Sequence, residues 1–185
     1  MGELDHVRVA VLATDGFEES ELTEPVAALR DAGARVDIIA PKSGAIQALR
    51  HFDKTMSVPV DRTLAEVKPE NYDALLLPGG ALNADTMRAV PQALSFIQRM
   101  SAMGKPIAAI CHAPWELISA GVVRDRLLTS YHTIQDDVRN AGGFWVDREV
   151  AVDQDLVTSR QPSDLPAFNK QMIRVFARGV QPAHR

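Results

Sequence analysis

A buried strand, a sharp turn and a helix are encoded in Pro106-Ile-Ala-Ala-Ile-Cys111-His112-Ala-Pro114-Trp115-Glu-Leu-Ile-Ser-Ala-Gly121. The apolar run over residues 106–110 is typical of a strand. The helix is predicted to begin near Ala113 and to end at Gly121. Pro114 suits the first helical turn, where a missing N–H costs little, and glycine commonly ends a helix.

The only cysteine of the chain, Cys111, lies at the turn of this stretch. The N-terminus of a helix has free N–H groups and a partial positive charge, and both favour a thiolate. With His112 next to it, the pattern is that of a strand–nucleophile–helix elbow that uses cysteine. Two alternatives stay open, since a lone cysteine is often an inert packed thiol and His112 is either a base or a packed ring.

Composition predicts one soluble α/β domain over residues 1–185. The chain is 46% hydrophobic and 24% charged, with a net charge of -4. No basic run stands out, so we expect no nucleic-acid binding. No apolar run approaches the roughly 20 residues of a membrane span, and the N-terminus lacks a signal-peptide pattern, so we expect no membrane association. Together with the single cysteine, this favours a reducing, cytoplasmic location.

Strands and helices alternate along the chain, which predicts a doubly wound fold with a mostly parallel sheet. Strands are predicted at residues 7–14, 35–41, 72–78, 106–110 and 127–130, with antiparallel pieces at 145–147, 149–153 and 156–159. Helices are predicted up to residue 31 and over 84–89, 91–102, 133–141 and 162–179. Residues 42–60 suit short edge strands, residues 63–67 a short helical turn, and residues 180–185 a frayed tail.

Three predicted strands end in unusual residues. They are Asp15-Gly16-Phe17-Glu18, then Gly79-Gly80 and then Cys111-His112. Ligands of open parallel sheets bind beyond the carboxyl ends of the strands. If these strands are neighbours, then Glu18, the glycine amides and the thiol converge on one pocket.

Each of these features also has a purely structural interpretation. Asp15 and Glu18 match a helix capping box, and Gly79-Gly80 matches a tight turn. The functional interpretation is that the glycine amides form an oxyanion hole. A thiolate nearby would push Glu18 towards its protonated form, which can donate a hydrogen bond to sulfur or shuttle a proton.

The residues resemble the ThiJ/PfpI superfamily, and most closely its PfpI-type branch, whose members are often labelled intracellular protease I or general stress protein. The resemblance extends over nearly the whole chain. It rests on the elbow together with Phe17-Glu18-x-x-Glu21-Leu22, Leu77-Pro78-Gly79-Gly80, Leu128-Thr-Ser-Tyr131, Asp136-Asp137 with Asn140-Ala-Gly142, Trp145-Val-Asp147 and Val157-Thr-Ser159-Arg160-x-Pro162.

The resemblance implies a flavodoxin-like fold related to class I glutamine amidotransferases, assembled as a homodimer or a larger homo-oligomer. It implies that Cys111 is the reactive, oxidisable thiol, that Glu18 is its hydrogen-bonded partner, and that His112 is the catalytic histidine. Protease-labelled members complete a triad with an acid from a neighbouring subunit. That position falls near Ala84 here, and Asp85 follows one residue later.

No cofactor and no metal are predicted. The five histidines, at 6, 51, 112, 132 and 184, form no i, i+4 pair, and nucleotide-binding glycine motifs are absent. His132 lies in a loop expected to border the pocket, where it is a candidate substrate contact.

The leading hypothesis is a stress-protective, cysteine-dependent hydrolase or lyase that acts on small reactive carbonyls or on glycated adducts, of the glyoxalase or deglycase kind. Cys111 attacks the carbonyl carbon, Gly79 and Gly80 hold the oxyanion, and Glu18 and His112 move protons. Two alternatives remain open. One is an intracellular cysteine peptidase with Asp85 as the third acid, and the other is a non-enzymatic redox sensor or chaperone.

Overall fold

A computed structural model describes residues 2–180 of the protein, so most of the tail predicted to fray lies outside the described residues. Strands and helices are numbered in chain order. The central sheet has seven strands. In spatial order they are β11 (Val150–Asp153), β12 (Leu156–Ser159), β8 (Ile107–Ile110), β7 (Ala74–Leu77), β1 (Arg8–Leu12), β3 (Arg35–Ala40) and β6 (Arg62–Thr63).

Every neighbouring pair in this sheet is parallel except β11 with β12, which confirms the predicted α/β fold with a mostly parallel sheet. All residues of β7 and β8 are buried. Their sequences, Ala-Leu-Leu-Leu and Ile-Ala-Ala-Ile, are apolar without alternation, as expected for strands covered on both faces.

Helices cover both faces of the sheet. The helices are α1 (Glu19–Asp31), α2 (Ala81–Met87), α3 (Pro91–Ala102), α4 (Pro114–Ser119), α5 (Gln135–Asn140) and α6 (Leu165–Val180). One buried cluster joins the sheet to α1 and α6 and includes Leu29 and Phe168. The other joins it to α3, α4 and α5 and includes Phe96, Leu117 and Val138. Burial of each such side chain stabilises the fold by about 1.5–3 kcal/mol. None of the described helices has the length and apolarity needed to cross a membrane.

Residues 42–60 form a hairpin of β4 (Ala45–Arg50) and β5 (Asp53–Pro59), in a small sheet with β2 (Phe17–Glu18). The predicted edge strands are confirmed, and Pro59 lies in the edge strand β5 as expected from its missing N–H. The helical turn predicted over residues 63–67 is wrong at its start, because Arg62–Thr63 pairs with the end of β3.

The prediction of an antiparallel strand at residues 145–147 is also wrong. That strand is β10 (Phe144–Trp145), and it pairs in parallel with β9 (Leu127–Leu128) in a separate two-stranded sheet. Helix α5 lies between the two strands in sequence, and a strand–helix–strand connection returns the chain in the same direction.

The capping box predicted for Asp15 and Glu18 does not form. Glu18 precedes α1 at the N-cap position, but its side chain makes no cap hydrogen bond. Asp15 instead accepts a hydrogen bond from the Gln47 amide at 2.8 Å and lies 3.3 Å from the Lys42 ammonium. Pairing of β2 with β4 brings Asp15 to this hairpin and away from the helix N-terminus.

Candidate active site

The three strand ends singled out in the sequence lie side by side. Strands β8, β7 and β1 are consecutive in the sheet, and all three run parallel. The chain leaves β1 towards β3 on one side, while β7 lies on its other side. The convergence of the three ends is therefore confirmed, at the kind of position where doubly wound folds bind ligands.

The turn at Cys111 is held in an unusual conformation. Cys111 has a φ of 63°, in the left-handed region that side-chain-bearing residues rarely adopt. Its amide donates to the Ser159 carbonyl at 3.0 Å, and its carbonyl accepts from the Tyr131 amide at 2.8 Å. These two hydrogen bonds fix the turn. The cysteine is buried there, with 7% of its surface exposed.

His112 contacts the cysteine although the two residues are neighbours in sequence. Its Nδ1 lies 3.2 Å from the Cys111 sulfur, because the left-handed turn breaks the alternation of side chains along a strand. The ring stacks on Tyr131, with centroids 4.7 Å apart. Burial lowers the pKa of His112, and the charge of His132 lowers it further. The imidazole is therefore a neutral base near neutral pH.

Glu21 is the carboxylic acid beside the thiol. It is fully buried in the first turn of α1. A Cβ at Gly79 would lie 2.0 Å from Glu21 Oε2 and 2.6 Å from Cys111 Cβ, so only glycine leaves room for both groups. Burial, followed by the charge of Glu18, raises the pKa of Glu21 to about 8. Glu21 is therefore protonated near neutral pH.

The prediction that Glu18 is the hydrogen-bonded partner of the thiol needs correction. Its Oε2 accepts a hydrogen bond from the His51 amide at 3.0 Å, and it lies outside the helix. Glu21 is three residues further along, inside the first turn of α1, on the side that faces the sheet. The sequence signal was available: Glu21 precedes Leu22 and shares the buried stripe of α1 with Pro25 and Leu29.

Cys111 and Glu21 form a coupled pair. Burial raises the pKa of the Cys111 thiol, and a negative charge on Glu21 raises it further. The backbone amides of Gly80 and His112 act in the opposite direction and favour the thiolate. Protonation of Glu21 removes its charge and provides a donor for sulfur, so a proton on Glu21 favours a thiolate at Cys111.

The predicted oxyanion donors, Gly79 and Gly80, face different groups. The Gly80 amide approaches the Cys111 sulfur, whereas the Gly79 amide approaches the Glu21 carboxyl. Neither Glu21 oxygen has a hydrogen-bond partner of good geometry among the described residues, so the contacts of Glu21 with Gly79 and with the Cys111 thiol are both loose. Gly80 and His112 are therefore the amides next to the thiol.

Asn83 is a structural residue that sequence reasoning missed. It is fully buried, and its Oδ1 accepts from the Thr14 amide at 2.8 Å. Its Nδ2 donates to the carbonyls of Pro78 and Gly79, at 3.1 and 3.2 Å. The side chain thus joins the end of β1 to the end of β7. Its position in the first turn of α2 gives no sequence signal for this role.

The two remaining predicted residues lie at the surface. Asp85 is exposed on α2, and no hydrogen bond or ion pair joins it to His112 within residues 2–180. His132 is exposed, and its ring centroid lies 4.6 Å from that of Tyr131, which in turn stacks on His112. The described residues contain no group of three or more His, Cys, Asp or Glu side chains placed to hold a metal ion.

The chain is similar to known proteins in sequence and in fold. Residues 7–175 match the DJ-1/PfpI family. The chain is 45% identical over 170 residues to protein/nucleic acid deglycase 2 of Escherichia coli, covering 91% of this chain and 97% of that protein. It is 39% identical to general stress protein 18 of Bacillus subtilis, covering 91% and 97%. The crystal structure of Drosophila melanogaster DJ-1beta superposes with a TM-score of 0.81 at 28% identity, covering 96% of this chain and 99% of that one.

Proposed function

Because the chain belongs to the DJ-1/PfpI family, we propose that it is a stress-protective, cysteine-dependent enzyme that acts on reactive carbonyls or on glycated adducts. The observation that carries the proposal is the position of the Cys111 thiol. It lies 3.2 Å from a neutral imidazole and beside a buried carboxylic acid, Glu21. The relative named as a deglycase supports the same class of reaction.

In the first step, His112 removes the thiol proton while sulfur attacks the aldehyde carbon of a substrate such as methylglyoxal. A carbon–sulfur bond forms, and the π electrons of the carbonyl move to oxygen. The imidazolium then returns the proton to this oxygen, which gives a hemithioacetal. The Gly80 and His112 amides stabilise the developing negative charges, and the Glu21 O–H donates to sulfur as it becomes a thiolate.

In the second step, neutral His112 removes the hydrogen of the former aldehyde carbon as a proton, and the electron pair passes into the neighbouring ketone to form an enediol. Reprotonation at the ketone carbon gives a thioester, and water hydrolyses it to a 2-hydroxy acid and free Cys111. The carbon skeleton is oxidised at one carbon and reduced at the next, so no external oxidant is needed. Proton transfers of this kind contribute about 10²–10⁴-fold to a rate.

The deciding experiment is steady-state formation of lactate from methylglyoxal. We expect turnover by the wild type and its loss in Cys111→Ser, since a hydroxyl beside a weak base is a far poorer nucleophile than a thiol. A folded Cys111→Ser variant with undiminished kcat/KM would overturn the proposal. Absence of turnover by the wild type, with Cys111 gaining two oxygens at low peroxide, would favour the redox sensor.

Peptide hydrolysis is the second candidate, since the Cys111–His112 contact also suits a cysteine peptidase. The buried thiol disfavours it, because a peptide needs more access than a three-carbon aldehyde. Cleavage of a fluorogenic peptide by the wild type and not by Cys111→Ser would support this candidate.

We also propose a cytoplasmic homodimer built from a single domain, in which Asp85 approaches His112 of the other copy. The exposed position of Asp85 and the family resemblance support this proposal. Light scattering tests the assembly. A dimer whose kcat falls in Asp85→Asn supports a triad across subunits, and a monomer contradicts it.

A further inference from the structure

The His112 ring lies between two aromatic side chains. Tyr131 stacks on it, and Trp115 meets it at an interplanar angle of 62°, with centroids 5.3 Å apart. Nδ1 faces the Cys111 sulfur. Within residues 2–180, no carboxylate forms a hydrogen bond with the other ring nitrogen. In a cysteine–histidine pair the ring nitrogen that faces away from the thiol commonly binds an orienting group. Because no such group binds it within the described residues, the two aromatic contacts hold the His112 ring in place.

The indole of Trp115 is itself held on its other sides. Its Nε1–H donates to Asp137 Oδ2 at 2.8 Å, which connects α4 to α5. The Arg88 guanidinium lies 5.2 Å from the indole centroid, and its Nε donates to Ser119 Oγ at 2.9 Å. Trp115 and Ser119 are four residues apart on α4, so Arg88 lies along that face of the helix.

We propose that Trp115, anchored by Asp137, is a positioning residue that holds the His112 imidazole against the Cys111 thiol. This inference rests on the proposed role of the Cys111–His112 pair. Trp115 touches no reacting atom, and it acts through the orientation of the imidazole and through exclusion of water from one side of the ring. Misplacement of a catalytic group by about 1 Å costs up to about 100-fold in rate.

The groups around His112 determine whether loss of the Trp115 indole raises or lowers the pKa of the imidazole. The titratable groups around the ring are Cys111, Tyr131 and His132, and the opposite charges of Arg88 and Asp137 lie on the far side of the indole. Burial is the main cause that lowers the pKa of His112. Removal of the indole admits water, so the pKa of His112 should rise towards its ordinary value near 6.5. A looser ring should also lower kcat and leave KM nearly unchanged.

The test follows the His112 ring proton by NMR through a pH titration, together with kcat and KM for methylglyoxal. Trp115→Leu should raise the pKa of His112 and lower kcat about tenfold. Asp137→Ala should produce a smaller change in the same direction, whereas Asp137→Asn keeps an acceptor for the indole and should behave like the wild type. The matched control is Trp145→Phe, because that indole binds Ser130 Oγ and Arg139 rather than His112.

An unchanged His112 titration in folded Trp115→Leu would overturn the proposal, and so would an equal shift in Trp145→Phe. Asp137 is exposed, so Asp137→Ala provides a readout even if Trp115→Leu does not fold. An unchanged titration in that variant overturns the anchoring role. If the wild type does not turn over methylglyoxal, the proposed function fails, while the NMR titration still decides the role of Trp115.

Discussion

Two glutamates, Glu21 and Glu116, are equally buried, but the groups around their carboxyls are very different. Both are 0% exposed, both lie in the first turn of a helix, and neither has a strict hydrogen bond among the described residues. Burial raises the pKa of each. The pKa of Glu21 is also affected by the Cys111 thiol, the Gly79 amide and the Glu18 carboxylate, whereas burial alone raises the pKa of Glu116.

A raised pKa therefore does not by itself mark a functional acid. A buried carboxyl stays protonated wherever it lies, because desolvation disfavours its charge. What distinguishes Glu21 is the nucleophile beside it and the missing Cβ of Gly79, which makes room for both groups. Glu116 is a buried acid with no hydrogen-bond partner among the described residues, so its burial lowers the stability of the fold.

The largest expected effect is that of Gly79→Ala. The new methyl would lie 2.0 Å from the Glu21 carboxyl and 2.6 Å from Cys111 Cβ. We expect a loss of about 3 kcal/mol in the free energy of unfolding, measured by urea titration, and loss of thiol reactivity. Gly121→Ala is the control for a new methyl without a clash: Gly121 has open space around its Cβ, so only the strain of its positive φ should be felt, at about 1–2 kcal/mol. Equal losses would contradict the close packing at Gly79.

The variants Glu21→Gln and Glu116→Gln should differ in enzyme activity. Loss of the Glu21 proton donor should lower kcat/KM for methylglyoxal about 100-fold. Glu116→Gln should change it by less than about threefold, since Glu116 contacts none of the reacting groups. Similar losses in both variants would mean that burial rather than contact with Cys111 explains the role of Glu21.

The pH dependence of kcat/KM should form a bell. The acid limb should lie below about pH 6.5, because His112 must be neutral and burial lowers its pKa. The alkaline limb should lie near pH 8, where Glu21 loses its proton. Glu21→Gln should remove the alkaline limb, whereas Glu116→Gln should keep it. An alkaline limb that survives in Glu21→Gln would assign it to another group.

The free energy of unfolding should also depend on pH, because Glu21 and Glu116 both have raised pKa values in the folded protein. A carboxyl with a raised folded pKa stabilises the fold fully below the unfolded pKa of about 4.5, and it loses that contribution as pH rises through the folded pKa. For Glu21 the loss is complete above about pH 8. Urea titrations from pH 5 to 9 should therefore show a smaller decline in Glu116→Gln than in the wild type. An unchanged decline would indicate that Glu116 is solvated or paired.

The smallest effect is expected for Glu18→Gln. The charge of Glu18 is the second cause of the raised pKa of Glu21, after burial. Its removal should move the alkaline limb of the activity profile to lower pH by less than about one unit. A loss of activity as large as that of Glu21→Gln would restore Glu18 as the partner of the thiol.

The elbow and the sheet were predictable because their signals are local. Apolar runs without alternation predict buried parallel strands, and glycines and prolines at the ends of elements set their limits. The choice between Glu18 and Glu21 was not predictable in this way. It depends on where α1 begins, and the pairing of β2 with β4, 31 residues away, sets that point. Asn83 and the parallel pairing of β9 with β10 likewise depend on distant contacts.

The most direct test is the titration of the Glu21 carboxyl, followed by NMR of the ¹³C-labelled glutamate side chain and assigned by its absence in Glu21→Gln. In parallel, the alkylation rate of Cys111 is measured with iodoacetamide. We predict that Glu21 stays protonated at neutral pH and titrates near pH 8, with the alkylation rate changing over the same range. A Glu21 carboxyl that is already ionised at pH 6, with alkylation unaffected in Glu21→Gln, would contradict the role of Glu21 as the acid that controls the Cys111 thiol.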